Sequence, residues 1–221
     1  KTDVGVVYVI FGHRYNFVDL DLSLWSGSWG FSITGAAAND WLGWTVGAVG
    51  DFNDDGFDDI IVMGSHADPP SRSDAGIGYV IFGHTNTTAF PDFNLGIAFP
   101  ATAGFRILGA LAQDTLGTAS GGQDVNGDGI DDIVVGAVNN DAQARFHAGA
   151  AYVIPGRRAS MIADIDLATG VGFNGIFKVS GAAMNDGAGA SVALVRDFDG
   201  DGRSDVLVGA NFADPYGRSD A

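Results

Sequence analysis

The chain contains no cysteine among its 221 residues, which removes disulfides, zinc–thiolate centres and thiol nucleophiles from consideration. Basic residues are scarce. Eleven Lys and Arg against 27 acids leave a formal net charge of -16, the wrong sign for a phosphate backbone, so nucleic acid is not an expected partner. There is no run of 18 apolar residues and no charged-then-apolar leader, so neither membrane insertion nor a signal peptide is expected. The chain does not open on Met and begins mid-pattern, as a fragment or a processed chain would. No G-x-S-x-G, H-E-x-x-H or phosphate-loop pattern occurs. The four histidines, His13, His66, His84 and His147, lack a suitably spaced acid or Ser partner, and His13 and His84 fall at matching places of a repeat. No catalytic residue is nominated, and the chain is not expected to be an enzyme.

What is present is one acidic loop, three times over, at an interval of 73 residues. The copies read DFNDDGFDD (51–59), DVNGDGIDD (124–132) and DFDGDGRSD (197–205), each leading directly into an apolar run. Oxygen-bearing side chains stand at the first, third, fifth and ninth places, and Gly at the sixth permits a sharp bend. The first loop therefore offers Asp51, Asn53, Asp55 and Asp59, with the main-chain carbonyl of Phe57 at the seventh place. The second offers Asp124, Asn126, Asp128 and Asp132 with Ile130, and the third Asp197, Asp199, Asp201 and Asp205 with Arg203. The seventh side chain is free to vary because only its carbonyl serves.

Thirteen of the 27 acids crowd into these three turns, where they repel one another unless a cation neutralises them. A single acidic turn is as readily a solvated loop as a metal site, but three copies in register favour metal. Calcium, which takes six to eight hard oxygens, is expected at all three; Mg²⁺, which keeps several waters, fits a wrapped loop less well. An EF-hand is excluded by the twelfth place, which is Val62, Val135 or Val208 inside a β-branched run and not a bidentate Glu opening a helix. With three Ca²⁺ bound the net charge would still be about -10.

The repeat extends beyond the loops. GVVYVIFG (5–12), GIGYVIFG (76–83) and GAAYVIPG (149–156) correspond, as do FSITG (31–35), FRILG (105–109) and FKVSG (177–181). Variable stretches carrying Asp and Leu lie between them, and NDWLG (39–43), QDTLG (113–117) and NDGAG (185–189) follow. Period-two alternation, terminal glycines and 46% hydrophobic residues predict four short antiparallel strands per period and no helix, the pattern of β-propeller blades.

These residues resemble FG-GAP repeats, the units of the integrin α-subunit β-propeller and of many bacterial surface proteins. The name elements stand as Phe11-Gly12, Phe82-Gly83 and Pro155-Gly156, and as Gly64-Ser65-His66, Gly136-Ala137-Val138 and Gly209-Ala210-Asn211, the closing Pro being absent each time. The resemblance covers essentially the whole chain and implies an all-β propeller whose calcium loop joins the first two strands of each four-stranded blade. Carried over, residues 41–114 and 115–186 are complete blades, while 187–221 supplies strands 1–2 and 1–40 strands 3–4 of a split blade. That makes three blade-equivalents over 1–221. Since a propeller typically needs at least about four blades, either a second copy completes the split blade head to tail, or the chain is a stretch of a longer propeller.

The function expected is that of a calcium-binding, integrin-like adhesion scaffold for a protein or glycan ligand, in an extracellular, cell-surface or periplasmic setting. Alternatives are an architectural module of a larger surface protein, or a non-catalytic propeller accompanying an enzyme domain elsewhere in its parent chain. The resemblance implies that ligands meet the face opposite the calcium loops. Trp25, Trp29, Trp41 and Trp44, all in the first repeat, are expected mainly to pack between blades, with a ligand-stacking surface as the alternative.

Overall fold

The computed structural model describes residues 3–12, 19–85, 90–97, 99–158, 162–172 and 175–214; His13 lies outside them. Two antiparallel sheets form the centre. In the first, β3 (Leu42–Gly50), β4 (Asp59–Gly64), β5 (Ile77–Ile81) and β7 (Gly104–Leu108) lie side by side in chain order. In the second, β8 (Leu116–Gln123), β9 (Asp132–Ala137), β10 (Ala150–Ile154) and β12 (Phe177–Ser180) repeat that order. Before them β1 (Val6–Ile10) pairs antiparallel with β2 (Gly30–Thr34), and after them β13 (Ala188–Val195) pairs with β14 (Asp205–Ala210).

The apolar run after each of the first two acidic loops is continuous, not alternating, because it forms a strand covered on both faces, whereas the third run, in β14, is only partly covered. Along β4, Ile61 and Met63 enter one core while Val62 enters the other. Along β9, Ile133, Val135 and Ala137 face the first sheet, and Val134 faces β13–β14 with Leu194. The sheets thus stack face to face, with Phe52, Phe105 and Tyr152 filling the interior between the two full sheets. Likewise β7 is buried on both sides, although alternation alone predicts a half-buried strand there.

Among the described residues, two of the three periods carry one strand more than the four expected. β6 (Phe93–Asn94) leaves its own sheet and pairs parallel with β2, and β11 (Ile165–Asp166) does the same with β7. The variable stretches therefore clasp the outer edge of the preceding sheet. Side chains fasten them: Asp92 accepts from the Ser32 amide at 2.6 Å, and Asp166 takes Arg72 in a two-bond pair at 2.6 and 2.8 Å. A single α-helical turn, α1 (Leu167–Gly170), follows β11, where Asp166 caps it through the Ala168 amide. It is the one departure toward α-helix among the described residues.

Candidate metal centres

Every acidic loop sits between the end of an inner strand and the start of the next, and its hydrogen bonds repeat almost atom for atom. In the first loop, Asp51 accepts from the amides of Asp55 and Gly56 at 2.9 and 2.8 Å. Asn53 accepts from the Asp55 amide at 3.0 Å and donates through Nδ2 to Asp55 Oδ2 at 2.9 Å; Asp55 also receives the Phe57 amide at 3.0 Å. In the second loop Asp124 accepts from Gly127, Asp128 and Gly129, Asn126 from Asp128, and Asp128 from Ile130. The third loop keeps the set in outline: Gly202 donates to Asp197, Asp201 to Asp199, and Arg203 to Asp201. Backbone N–H groups thus hold the first, third and fifth side chains of each loop in a repeated arrangement.

The ninth place closes each loop from beneath. Asp59 is fully buried and takes the amides of Phe52 (3.2 Å) and of Gly83 (2.9 Å), the latter from the end of β5. Asp132, equally buried, takes those of Val125 and Gly156, both at 2.8 Å. Asp205 receives the Phe198 amide at 2.6 Å and is only partly covered. Burial pushes the Asp59 carboxyl up to about 7; the negative Asp55 and Asp51 push the same way, and the two amides pull it back. Asp132 is raised for the same reasons, burial first, with Asp128 and Asp124 beside it. A buried carboxylate facing further carboxylates is an arrangement that a hard divalent cation relieves.

In the third loop, oxygens of Asp197, Asp199 and Asp201 lie within 4.8 Å of one another. The first two loops have Asn at the third place, which supplies an amide oxygen where the third loop has a carboxylate. The donors are oxygens throughout, so the chemistry of the set fits calcium and gives no preference to a soft metal.

Two features of the loops were not legible from their pattern. The loops touch: Asp131 Oδ2 accepts the Asp51 amide at 3.0 Å, and the Ser204 amide donates to the Asp124 carbonyl at 2.9 Å. Arg203, at the seventh place of the third loop, lays its side chain over Gly127 of the second. Arg158, from beyond β10, forms an ion pair with Asp54 of the first loop.

At the opposite ends of the inner strands a second Asp recurs. Asp40, Asp114 and Asp186 accept the amides of Ala37, Leu111 and Ala183 at 2.8, 2.9 and 2.7 Å, closing the turns between sheets. The four Trp are not one cluster. Trp25 packs with Trp29 and Tyr8, whereas Trp41 stacks on Trp44, with ring centroids 5.7 Å apart, and touches His66. Trp41 and Trp44 are 40% and 61% exposed, so this pair is not buried between sheets.

The FG-GAP repeat family model matches residues 43–81, 116–154 and 188–221. Similar proteins include the phosphatidylinositol-glycan-specific phospholipases D of Bos taurus, Rattus norvegicus and Mus musculus. They are 27%, 28% and 29% identical over 180, 180 and 177 residues, in each case 80% of this chain. The chain spans 19% of the length of these relatives. Among the described residues no helix is long and apolar enough to cross a membrane.

Proposed function

Because the chain belongs to the FG-GAP repeat family and its sheets are propeller blades, we propose that it is a calcium-stabilised binding or adhesion scaffold working outside the cell, with its ligand face opposite the calcium loops. The observation that carries this reading is the threefold recurrence of an amide-bonded acidic loop closed by a ninth-place Asp, with the oxygens of Asp197, Asp199 and Asp201 drawn within 4.8 Å in the third. Asp51, Asn53, Asp55 and Asp59 would hold one Ca²⁺, with the Phe57 carbonyl. Asp124, Asn126, Asp128, Asp132 and the Ile130 carbonyl would hold a second, and Asp197, Asp199, Asp201, Asp205 and the Arg203 carbonyl a third. When bound, the ion supplies charge neutralisation and a crosslink between neighbouring strands, with no bond-making chemistry. Extracellular calcium is high enough to fill open loops of this kind.

The chain is read as non-catalytic. Its similarity to phospholipases D is to about a fifth of their length, and a site repeated three times suits ligand duty better than catalysis. A propeller accompanying an enzyme elsewhere in a parent chain is the second reading, favoured by that partial coverage. The blade division is proposed at 41–114 and 115–186, with 187–221 and 1–40 as parts completed by a second copy or by further repeats.

Thermal melting with calcium and with chelator, alongside native mass spectrometry, tests the metal reading. Three bound ions are expected, each adding roughly 2.7 kcal/mol when calcium stands at 100 times its dissociation constant. Asp128→Ala should lose one ion and melt lower only in calcium; an equal loss in chelator would count against a metal role.

A further inference from the structure

The calcium loops are near-copies, but the rim at the other ends of the inner strands is not. Trp41, Thr115 and Gly187 hold equivalent places, each just before the inner-strand residue that pairs with the end of the second strand. All three have positive φ, at 53°, 49° and 65°. Trp44, Thr118 and Ala190 correspond three residues on, and His66, Asn139 and Phe212 correspond at the 73-residue interval. The rim is aromatic in the first repeat, polar in the second, and small with one Phe in the third. Shared structural duty keeps repeats alike; divergence at every rim place is what a site occurring once requires.

Apart from Gly187, these places line a cavity of about 290 Å³. Among the described residues no Asp, Lys or Arg lines it, in a chain whose net charge is -16. One wall is the stacked Trp41–Trp44 pair, held by His66, whose ring centre lies 4.1 Å from that of Trp41. The Ser65 hydroxyl and His66 Nδ1 are bonded at 3.0 Å, which fixes the imidazole in turn. Trp41 adopts a positive φ that is unfavourable for a bulky side chain and that its third-repeat counterpart meets with Gly. Leaving these indoles 40% and 61% exposed, one of them on such a backbone, forgoes part of the gain that full burial would bring. The lining also carries the amide side chains of Asn139 and Asn211.

We propose that this cavity binds a neutral saccharide, one pyranose ring stacking by its C–H face on the Trp41–Trp44 pair with hydroxyls directed to the Asn139 and Asn211 side chains. The proposal rests on the binding-scaffold reading above. An anionic ligand would find no Lys or Arg among the described lining residues, and an aliphatic segment would leave the Asn139 and Asn211 amides without partners. A sugar supplies both an apolar face and hydroxyls.

The test is a tryptophan-fluorescence titration of the intact protein in calcium with a panel of neutral mono- and oligosaccharides, and with sulfated heparin fragments and unglycosylated matrix proteins for comparison. A saturable change with a neutral sugar is expected. Trp44→Ala should weaken it at least tenfold and Trp44→Phe less, with melting temperatures unchanged. Asn139→Ala serves as a second variant that removes one lining amide, and it should also weaken binding. No binding of any neutral sugar, binding only of heparin or protein, or binding that survives Trp44→Ala would overturn the proposal. Melting with and without calcium on the same samples reads the scaffold hypothesis separately. A calcium effect without sugar binding removes the saccharide and leaves the scaffold; sugar binding without a calcium effect does the reverse.

Discussion

At the scale of single residues, the ninth-place aspartates have a pH consequence that depends on the metal. Without calcium, burial and neighbouring carboxylates raise Asp59 to about 7, so the folded state holds a proton that the unfolded chain releases near pH 4. Stability then falls as pH rises wherever the folded state binds more protons. The chelated protein should therefore melt highest near pH 4–5 and lose on the order of 4 kcal/mol from Asp59 by pH 7–8. Asp132 contributes in the same direction. Calcium should reverse the slope, because the ion competes with that proton. Melting curves at pH 5 and pH 7.5, with calcium and with chelator, check both signs; a chelated protein more stable at pH 7.5 would contradict the assignment. Asp131 makes a separate case, since its carboxylate holds the Asp51 amide of the neighbouring loop. Asp131→Ala is expected to weaken calcium in the first loop severalfold while the second loop keeps its own ligands, a split that calorimetric titration would resolve. The ligand types and spacing were plain in the sequence, because a metal loop uses side chains at fixed offsets. Asp131 was not, since nothing local tells an eighth-place Asp that points at another loop from one that points at water.

At the scale of elements, the main strands were legible and the clasps were not. GVVYVIFG, GIGYVIFG and GAAYVIPG became or contain β1, β5 and β10 because β-branched and aromatic residues fill a strand packed on its faces. The clasping strands β6 and β11 are two residues each, too short to leave any periodicity, and they exist only through pairing with a neighbouring sheet. Gly149 shows a constraint that is local in cause and long-range in effect. It opens β10 with φ at 78°, and a Cβ there would stand 2.1 Å from the Ala188 carbonyl oxygen of the next inner strand. Gly5 and Gly76 stand in the same relation to Leu42 and Leu116. Gly149→Ala would combine a strained backbone with separation of two sheets, so a loss of at least about 2 kcal/mol is expected in chemical denaturation. Gly172→Ala is the control, since its added Cβ meets nothing within 4 Å although its φ is also positive, at 84°; it should cost only the backbone part, about 1 kcal/mol.

At the scale of the whole molecule, the sheets ask to be completed. In β9 every residue is buried, whereas in the equivalent strand β14 none is, and Leu207 is 50% exposed. At the other end of the described chain β1 shows Val6 and Ile10 at 45% and 46% exposure. By the register of β9 with β10, in which Ala137 faces Ala150 and Ile133 faces Ile154, a strand like β1 laid beside β14 would set Val6 against Ala210 and Ile10 against Val206. Uncovered apolar strands with free edges are costly and sticky in water. If the blade proposal is right, the β14 amides should show hydrogen-exchange protection comparable to β9 in calcium. Completion by a second copy makes that protection fall on dilution, in step with a drop in light-scattering mass; completion by further repeats of the same polypeptide makes it independent of concentration. Exchange of β14 at the rate of a frayed edge, at every concentration and with calcium present, would mean that nothing covers it and that the split-blade reading is wrong.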